Sequence, residues 1–350
     1  MIPRSETAVQ SSSIETGHES SADNRVPDWQ RVWRDSRLSA PALLERLGLS
    51  TPGMALADEG SRQFPLRIPP AYLQQIRPGD PHDPLLLQIL PQQAEDEAVA
   101  GYGADPVGDL DAQQQPGLLH KYHGRVLLTL TGACAIHCRY CFRRHFPYND
   151  ANPSRSHWEQ TLDYLRRDDS INEVIFSGGD PLALPDTKLA SLSAGLDAIP
   201  HLKRLRIHTR MPVVLPERIT PALIDWLTSL RLKPVLVVHI NHAREIGPAA
   251  ATGLQALRRA GIHLLNQAVL LKGVNDTVAA QKELSETLFA HDVLPYYLHM
   301  LDAVAGAAHF NVDDNTARHL LTALRSGLSG YLVPRLVRET AGMPYKMPLL

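Results

Sequence analysis

The residues with the clearest potential for chemistry are three cysteines, Cys134, Cys138 and Cys141, which fall within eight positions of one another. Cysteines this close along a chain rarely satisfy disulfide geometry, whereas thiolates are soft ligands for zinc and for iron–sulfur clusters. A structural zinc ion takes four protein ligands, so His137 or His145 would have to complete that site. A [4Fe–4S] cluster held by three thiolates would instead leave its fourth iron open to another ligand. The spacing predicts a metal centre and leaves both kinds open.

A second candidate is the turn made by Ser177, Gly178, Gly179 and Asp180. Glycines let a ligand approach the backbone closely, and exposed N–H and C=O groups can hold a zwitterion. A plain strand-to-helix turn is the simpler interpretation of the same residues. The functional interpretation of this motif therefore depends on its position, one apolar run after the cysteines.

Short apolar runs alternating with amphipathic helical segments must position these residues. Six runs occupy 125–131, 173–178, 204–209, 234–240, 263–271 and 294–300. Near-continuous apolar strands with helices between them are typical of parallel βαβ units. Because no G-x-G-x-x-G follows a strand, the series predicts an α/β fold with a (βα)6 partial TIM barrel rather than a doubly wound sheet. In such barrels the chemistry lies at the carboxyl ends of the strands, where both motifs fall.

Outside these six runs the sequence predicts three further features. Residues 1–25 are polar and Ser-rich, which indicates a disordered tail, and 26–120 read as a helical and Pro-rich segment that wraps the larger body. Within that segment Ser39 can cap a helix in a helical stretch at 28–50. The third region, 121–350, holds the barrel, a helix at 313–327 and a strand-like run at 331–339.

Composition excludes several classes of protein. The 350-residue chain has a net charge of −2, so it offers no strongly basic face for general nucleic-acid binding. Three cysteines cannot form a complete disulfide scaffold. The N-terminus lacks a signal-peptide pattern, and no apolar stretch reaches the length of a membrane span. We therefore expect a cytoplasmic protein with neither a nucleic-acid nor a membrane partner.

The cysteine motif after the first strand of a partial barrel resembles that of the radical S-adenosylmethionine (SAM) enzymes. From about residue 100 onward the chain is similar to the lysine 2,3-aminomutase family, through CRYCFRR, SGGDPL, HTRMPVVLPERIT, HINH, LLNQAVLLKGVND, LPYY and a late lysine, in that order. The resemblance implies an isomerase that converts L-α-lysine to β-lysine, as the R form. It also implies three cofactors: a [4Fe–4S] cluster, SAM as the source of a 5′-deoxyadenosyl radical, and pyridoxal 5′-phosphate (PLP).

Within that family the short chain is most similar to members that supply β-lysine for modifying translation elongation factor P. This resemblance implies functional links to that factor and to its lysyl-transferring ligase. It further implies a reductase or a flavodoxin-type protein as electron donor.

The resemblance also implies roles for individual residues around the cluster and SAM. The three cysteines match the cluster ligands. The positions that match SAM contacts are Ser177, Gly178, Gly179, Asp180, His239 and Gln267. His239 could equally be a core histidine with satisfied hydrogen bonds.

Three further positions match residues that bind PLP. Lys346 matches the lysine that forms the PLP Schiff base, and Tyr122 and Arg125 match contacts to the PLP phosphate. Nothing in the local sequence marks Lys346, because a lysine near a terminus is ordinarily a solvated surface residue.

The last three positions match substrate contacts. Arg143 matches the arginine that binds the substrate carboxylate, for which a planar guanidinium is well suited. Asp302 and Glu339 match two acids that bind the distal ammonium of lysine. The family has aspartate at the second position, so Glu339 is a departure, and its extra methylene is expected to alter the ammonium site.

Two alternatives stay open at this point. One is a different radical SAM activity: an activase, a methylase or an aminomutase for another amino acid. The other is a non-enzymatic zinc-binding module. Asp302 together with Glu339 disfavours an acidic substrate such as glutamate, and a PLP requirement would exclude an activase.

Overall fold

The computed structural model describes residues 28–49, 66–148 and 155–350. The tail predicted at 1–25 lies outside these ranges.

One sheet organises the described residues, and its strands follow one another in chain order. The strands are β1 (Gln113–Gln115), β2 (Leu118–Tyr122), β3 (Arg125–Thr131), β4 (Glu173–Gly178), β5 (Arg204–Thr209), β6 (Lys233–Val238), β7 (His263–Val269), β8 (Leu294–His299), β9 (Arg335–Arg338) and β10 (Met347–Pro348). Strands β3 to β9 are parallel, while β1, β2 and β10 pair antiparallel at the two ends. The partial barrel is confirmed, since the six predicted runs are β3 to β8, and the parallel array continues into β9.

The helices fall between the parallel strands and along the N-terminal segment. They are α1 (Asp28–Asp35), α2 (Ala40–Arg46), α3 (Pro70–Leu73), α4 (Pro84–Leu87), α5 (Arg155–Arg167), α6 (Asp186–Asp197), α7 (Met211–Val214), α8 (Pro221–Ser229), α9 (Pro248–Arg259), α10 (Val278–Ala290) and α11 (Asp314–Gly327). None of the helices in the described part of the chain is long and apolar enough to cross a membrane.

The core forms where the apolar face of each crossover helix meets the sheet. In α9 the residues Ala250, Leu254 and Leu257 are buried, and their spacing of four and three positions places them on one helix face. Strand β4 is buried at five successive positions, as expected for a parallel strand covered on both faces. Each fully buried leucine contributes about 1.5–3 kcal/mol through removal of its side chain from water.

The segment before the barrel packs into this same core. The helical stretch predicted at 28–50 is two short helices, and the Ser39 cap is confirmed: its Oγ accepts a hydrogen bond from the backbone N–H of Ala42 at 3.3 Å. Leu43, Leu44 and Tyr72 are fully buried in the main hydrophobic cluster. The Pro-rich segment therefore joins the barrel core through its side chains.

Candidate active site

A cavity of about 380 Å³ opens at the carboxyl ends of the strands. Every residue that the sequence analysis assigned to the cluster, SAM, PLP or substrate lines this cavity. Residues as distant in sequence as Cys134 and Lys346 therefore share one site.

The three cysteines lie in the loop that follows β3, partly exposed and with free thiols. A cluster needs one thiolate for each of three irons, whereas a single zinc ion needs all its ligands at one point. Among the described residues, no three His, Cys, Asp or Glu side chains converge on one point in that way. His145 is exposed, with its Nε2 3.4 Å from the carbonyl oxygen of Ala305, and it does not line the cavity.

The two glycines of the turn after β4 allow the cysteine loop to pack directly on that turn. The N–H of Gly179 donates to Thr131 O at 2.6 Å, and the N–H of Asp180 donates to Ala133 O at 2.8 Å. A Cβ on Gly179 would lie 2.5 Å from Ala133 O, and Gly178 has a φ of +115°. Close approach of the loop thus requires both glycines.

Asp180 is engaged inside the protein, although it lines the cavity. Its carboxylate accepts hydrogen bonds from the hydroxyl of Thr209 and from the backbone N–H groups of Leu182, Arg210 and Met211. Because these donors occupy both oxygens, Asp180 fixes the turn and the end of β5 and has little capacity left for SAM.

His239 follows β6 and lies against Tyr140 of the cysteine loop. A hydrogen bond of 2.8 Å joins its Nε2 to the Tyr140 hydroxyl, and the two rings stack. Burial, followed by the positive charge of Arg210, lowers the pKa of His239 well below its ordinary value, so the ring is neutral at pH 7. Gln267 of β7 lines the same cavity.

A line of alternating charges crosses the cavity near the C-terminus. Glu339 binds Lys346 through one carboxylate oxygen and Lys121 through the other, at 3.0 Å. Lys121 also binds Asp109 at 2.6 Å. Although burial alone would raise it, the pKa of Glu339 is held below its ordinary range by Lys346 and Lys121.

The same line continues to the arginine beside the cysteines. Arg143 Nε donates to Asp109 at 2.6 Å, and Arg143 Nη1 donates to Ser177 Oγ at 3.0 Å. The order Arg143, Asp109, Lys121, Glu339, Lys346 therefore alternates in sign from the cluster side to the C-terminal side. Each buried charge has an opposite neighbour, which is what allows so many of them to share a cavity.

Asp302 follows β8 and is the acid with the most unusual environment. Burial, reinforced by the negative charge of Glu339, raises the pKa of Asp302 to about 7. Such a carboxyl gains most from a cation that enters the cavity, because that cation restores the charged form.

The surroundings of Lys346 suit a bound phosphate cofactor. The guanidinium of Arg125 lies 4.6 Å from the centre of the Tyr122 ring. His208 lines the cavity with a buried Nε2 that has no hydrogen-bond partner among the described residues. An unpartnered buried nitrogen facing a cavity indicates a polar ligand there.

The residues at the site that sequence reasoning missed include Asp109, Lys121, His208 and Arg210. Lys121 is the penultimate residue of the short strand β2, and Asp109 lies in an irregular loop. His208 and Arg210 stand within the quoted motif HTRMPVVLPERIT, but only the motif as a whole was used. Their position at the carboxyl end of β5 was the available signal.

Comparison with known proteins agrees with this arrangement. The sequence model of the radical SAM superfamily matches residues 128–280, which include the end of β3, the cysteines and β4 to β7. The chain is 45% identical to the L-lysine 2,3-aminomutase of Escherichia coli (strain K12), over 92% of this chain and 94% of that protein. It is 36% identical to the L-lysine 2,3-aminomutase of Clostridium subterminale, over 92% of this chain and 78% of that protein.

Such identity over nearly the whole length goes beyond the barrel itself. The chain is also 44% identical to the L-lysine 2,3-aminomutase of Haemophilus influenzae, over 91% of this chain. The chain belongs to the lysine 2,3-aminomutase family of radical SAM enzymes.

Proposed function

We propose that this protein converts L-α-lysine to β-lysine. The observation that carries the proposal is that one cavity holds three cysteines, an arginine beside them, and two acids next to a lysine. Membership of the family implies a [4Fe–4S] cluster, SAM and PLP. When bound, the cluster and SAM would supply the radical, and PLP would activate the amino group for its migration. The three free thiols suit an iron–sulfur cluster, and the cationic side chains near Lys346 suit the phosphate of PLP.

The chain's own residues bind and orient the substrate between two charged ends. We assign the α-carboxylate to Arg143, whose planar guanidinium Asp109 and Ser177 hold in one orientation. We assign the distal ammonium to Asp302 and Glu339. Fixing both ends places the reacting carbons relative to the radical source.

The ion pair between Lys346 and Glu339 supports this assignment. Glu339 holds the ammonium group of a lysine side chain in this structure. If Lys346 were to bind PLP, its free ammonium group would no longer pair with Glu339, and the ammonium of a substrate lysine could take that place. The same acid thus serves chemically identical partners in turn. An acidic substrate such as glutamate would meet repulsion at this end.

Replacement of Lys346 by alanine tests the proposal. We expect Lys346→Ala to lose PLP absorbance and to abolish formation of β-lysine, while the iron and sulfide content stays that of the wild type. The assay is anaerobic, with L-lysine, SAM, PLP and dithionite, and β-lysine is measured by chromatography. Lys282→Ala, a lysine on α10 away from the cavity, is the matched control. Turnover of Lys346→Ala at the wild-type rate would refute the assignment.

We also propose the wider context that the resemblance implies. The β-lysine would serve the modification of elongation factor P, and a flavodoxin-type protein or a reductase would supply the electron. A reducing compartment such as the cytoplasm suits unpaired thiolates. β-Lysine on elongation factor P in cells that lack this gene would contradict the first of these links.

A further inference from the structure

Arg210 is a buried arginine that the substrate assignments leave without a function. It follows the last residue of β5, and its side chain is 6% exposed. Its backbone N–H donates to Asp180 at 2.7 Å, which fixes where the side chain starts. An arginine this deep needs partners for its charge and its N–H groups.

One edge of the guanidinium faces the cysteine loop. Nη1 of Arg210 donates to Cys138 Sγ at 2.8 Å and to the hydroxyl of Tyr140 at 3.0 Å. A positively charged side chain therefore donates a hydrogen bond directly to one of the three cysteine sulfurs.

The Nη2 group on the other edge is held by a buried polar network. Nη2 donates to Gln88 Oε1 at 2.7 Å and to Glu245 Oε2 at 2.9 Å. Gln88 also accepts from Asn241 at 3.0 Å and donates to Glu245 at 3.1 Å. Gln88 follows α4, while Asn241 and Glu245 lie in the loop after β6. Arg210 therefore cannot turn away from Cys138 without breaking contacts with two segments of the chain.

A purely structural role is the competing explanation, and Arg218 shows what that role looks like. Arg218 is also fully buried, lies 4.6 Å from the Trp29 ring and binds Asp186 at 2.6 Å. It contacts no cysteine in the described residues. The two arginines therefore differ in the single feature that bears on the metal centre.

We propose that Arg210 sets the reduction potential of the cluster ligated by Cys138, raising it, while Glu245 partly offsets this effect. The inference rests on the proposed cluster but not on the reaction with lysine. Reduction adds one negative charge to the cluster, and an N–H donor carrying positive charge stabilises that charge on the sulfur. The acid behind the guanidinium opposes this stabilisation.

The test is a redox titration of full-length, anaerobically reconstituted protein with dithionite, followed by electron paramagnetic resonance at one pH and without SAM or lysine. We expect Arg210→Gln to lower the ratio of reduced to oxidised cluster about tenfold at a fixed potential, which is a shift of about 59 mV for one electron. Glu245→Gln should raise the ratio. Arg218→Gln, the matched control, should leave it unchanged.

Each outcome decides the matter. A wild-type midpoint in Arg210→Gln with full iron and sulfide content would overturn the proposal. If Arg210→Gln fails to hold a cluster, Glu245→Gln decides, since an unchanged or lowered ratio there overturns it. Because the readout needs neither PLP nor lysine, failure of the proposed reaction would leave these midpoints untouched. A wild-type protein that binds zinc instead of iron would overturn both.

Discussion

At the scale of single residues, the site is a set of charged side chains that form ion pairs with one another around a cavity. At position 339, where the family has aspartate, the carboxylate of this glutamate contacts Lys121 and Lys346 at the same time. Asp302, by contrast, has a pKa raised to about 7 by burial, with the Glu339 charge adding to the effect. Glu339 is already paired with two lysines, whereas the raised pKa of Asp302 means that binding of a cation would favour its charged form.

This contrast predicts a stability cost at Asp302. A carboxyl with a pKa near 3.9 in the unfolded chain and about 7 when folded opposes folding wherever it is ionised. Well below pH 4 both states are protonated, so Asp302→Asn should then leave stability unchanged. Between pH 4 and 7 the variant should gain progressively, reaching roughly 2–4 kcal/mol above pH 7, at about 1.4 kcal/mol for each pKa difference of one.

Urea unfolding of the unloaded protein at pH 5 and pH 8 measures this effect. The exposed Asp225→Asn is the control and should differ from wild type by less than about 0.5 kcal/mol at both values. The same Asp302→Asn variant should bind L-lysine more weakly in calorimetry. Equal stability of Asp302→Asn and wild type at pH 8 would mean that Asp302 has an ordinary environment.

The cysteines and the turn at 177–180 could be anticipated from residue types and spacing, whereas the PLP and substrate residues could be anticipated only by resemblance. Lys346 carries no local mark, and it enters the cavity because β10 pairs with β9 and brings the chain end back to the sheet. Lys121 and Asp109 were missed because a polar residue at the end of a short strand and an acid in a loop look like surface positions. Their importance appears only when the ion pairs are seen.

At the scale of elements, the predicted strands and helices correspond closely to the observed ones where apolar periodicity is strong. The run 125–131 is β3, and the helix expected within 313–327 is α11. Strands β1, β2 and β10 were missed, because QQQ, LLHKY and MP lack the β-branched, alternating pattern of a strand. Their pairing is imposed by the neighbouring strands.

The contact between the cysteine loop and the turn after β4 predicts a specific defect. In Gly179→Ala the new Cβ would lie 2.5 Å from Ala133 O and 2.8 Å from Gly132 C, so the loop must move. We expect cluster content to fall at least twofold, measured as iron and sulfide per chain, with far-ultraviolet circular dichroism unchanged. Gly330→Ala, where a Cβ meets nothing within 4 Å, is the control. Full iron content in Gly179→Ala would show that the loop tolerates the displacement.

At the scale of the whole molecule, the N-terminal segment and the barrel are joined by a buried ionic contact. Glu95 binds Arg139 Nη2 at 2.5 Å and Arg144 Nη2 at 3.0 Å, with all three side chains at most 3% exposed. Arg139 neighbours Cys138, so this contact connects the segment that precedes the barrel to the cysteine loop. The segment is therefore part of the architecture that holds the metal site.

Removing this acid should destabilise the molecule as one unit. Glu95→Gln leaves two buried guanidinium groups without their shared charge, and breaking a buried pair costs about 3–5 kcal/mol. Urea unfolding of the full chain should show one transition at lower urea, with the same midpoint by circular dichroism and by tryptophan fluorescence. Asp28→Asn, which breaks an exposed pair with Arg31, should change stability by less than about 1 kcal/mol. Two separate transitions in Glu95→Gln would show that the N-terminal segment unfolds independently, and the cysteine loop would then owe its position to the barrel alone.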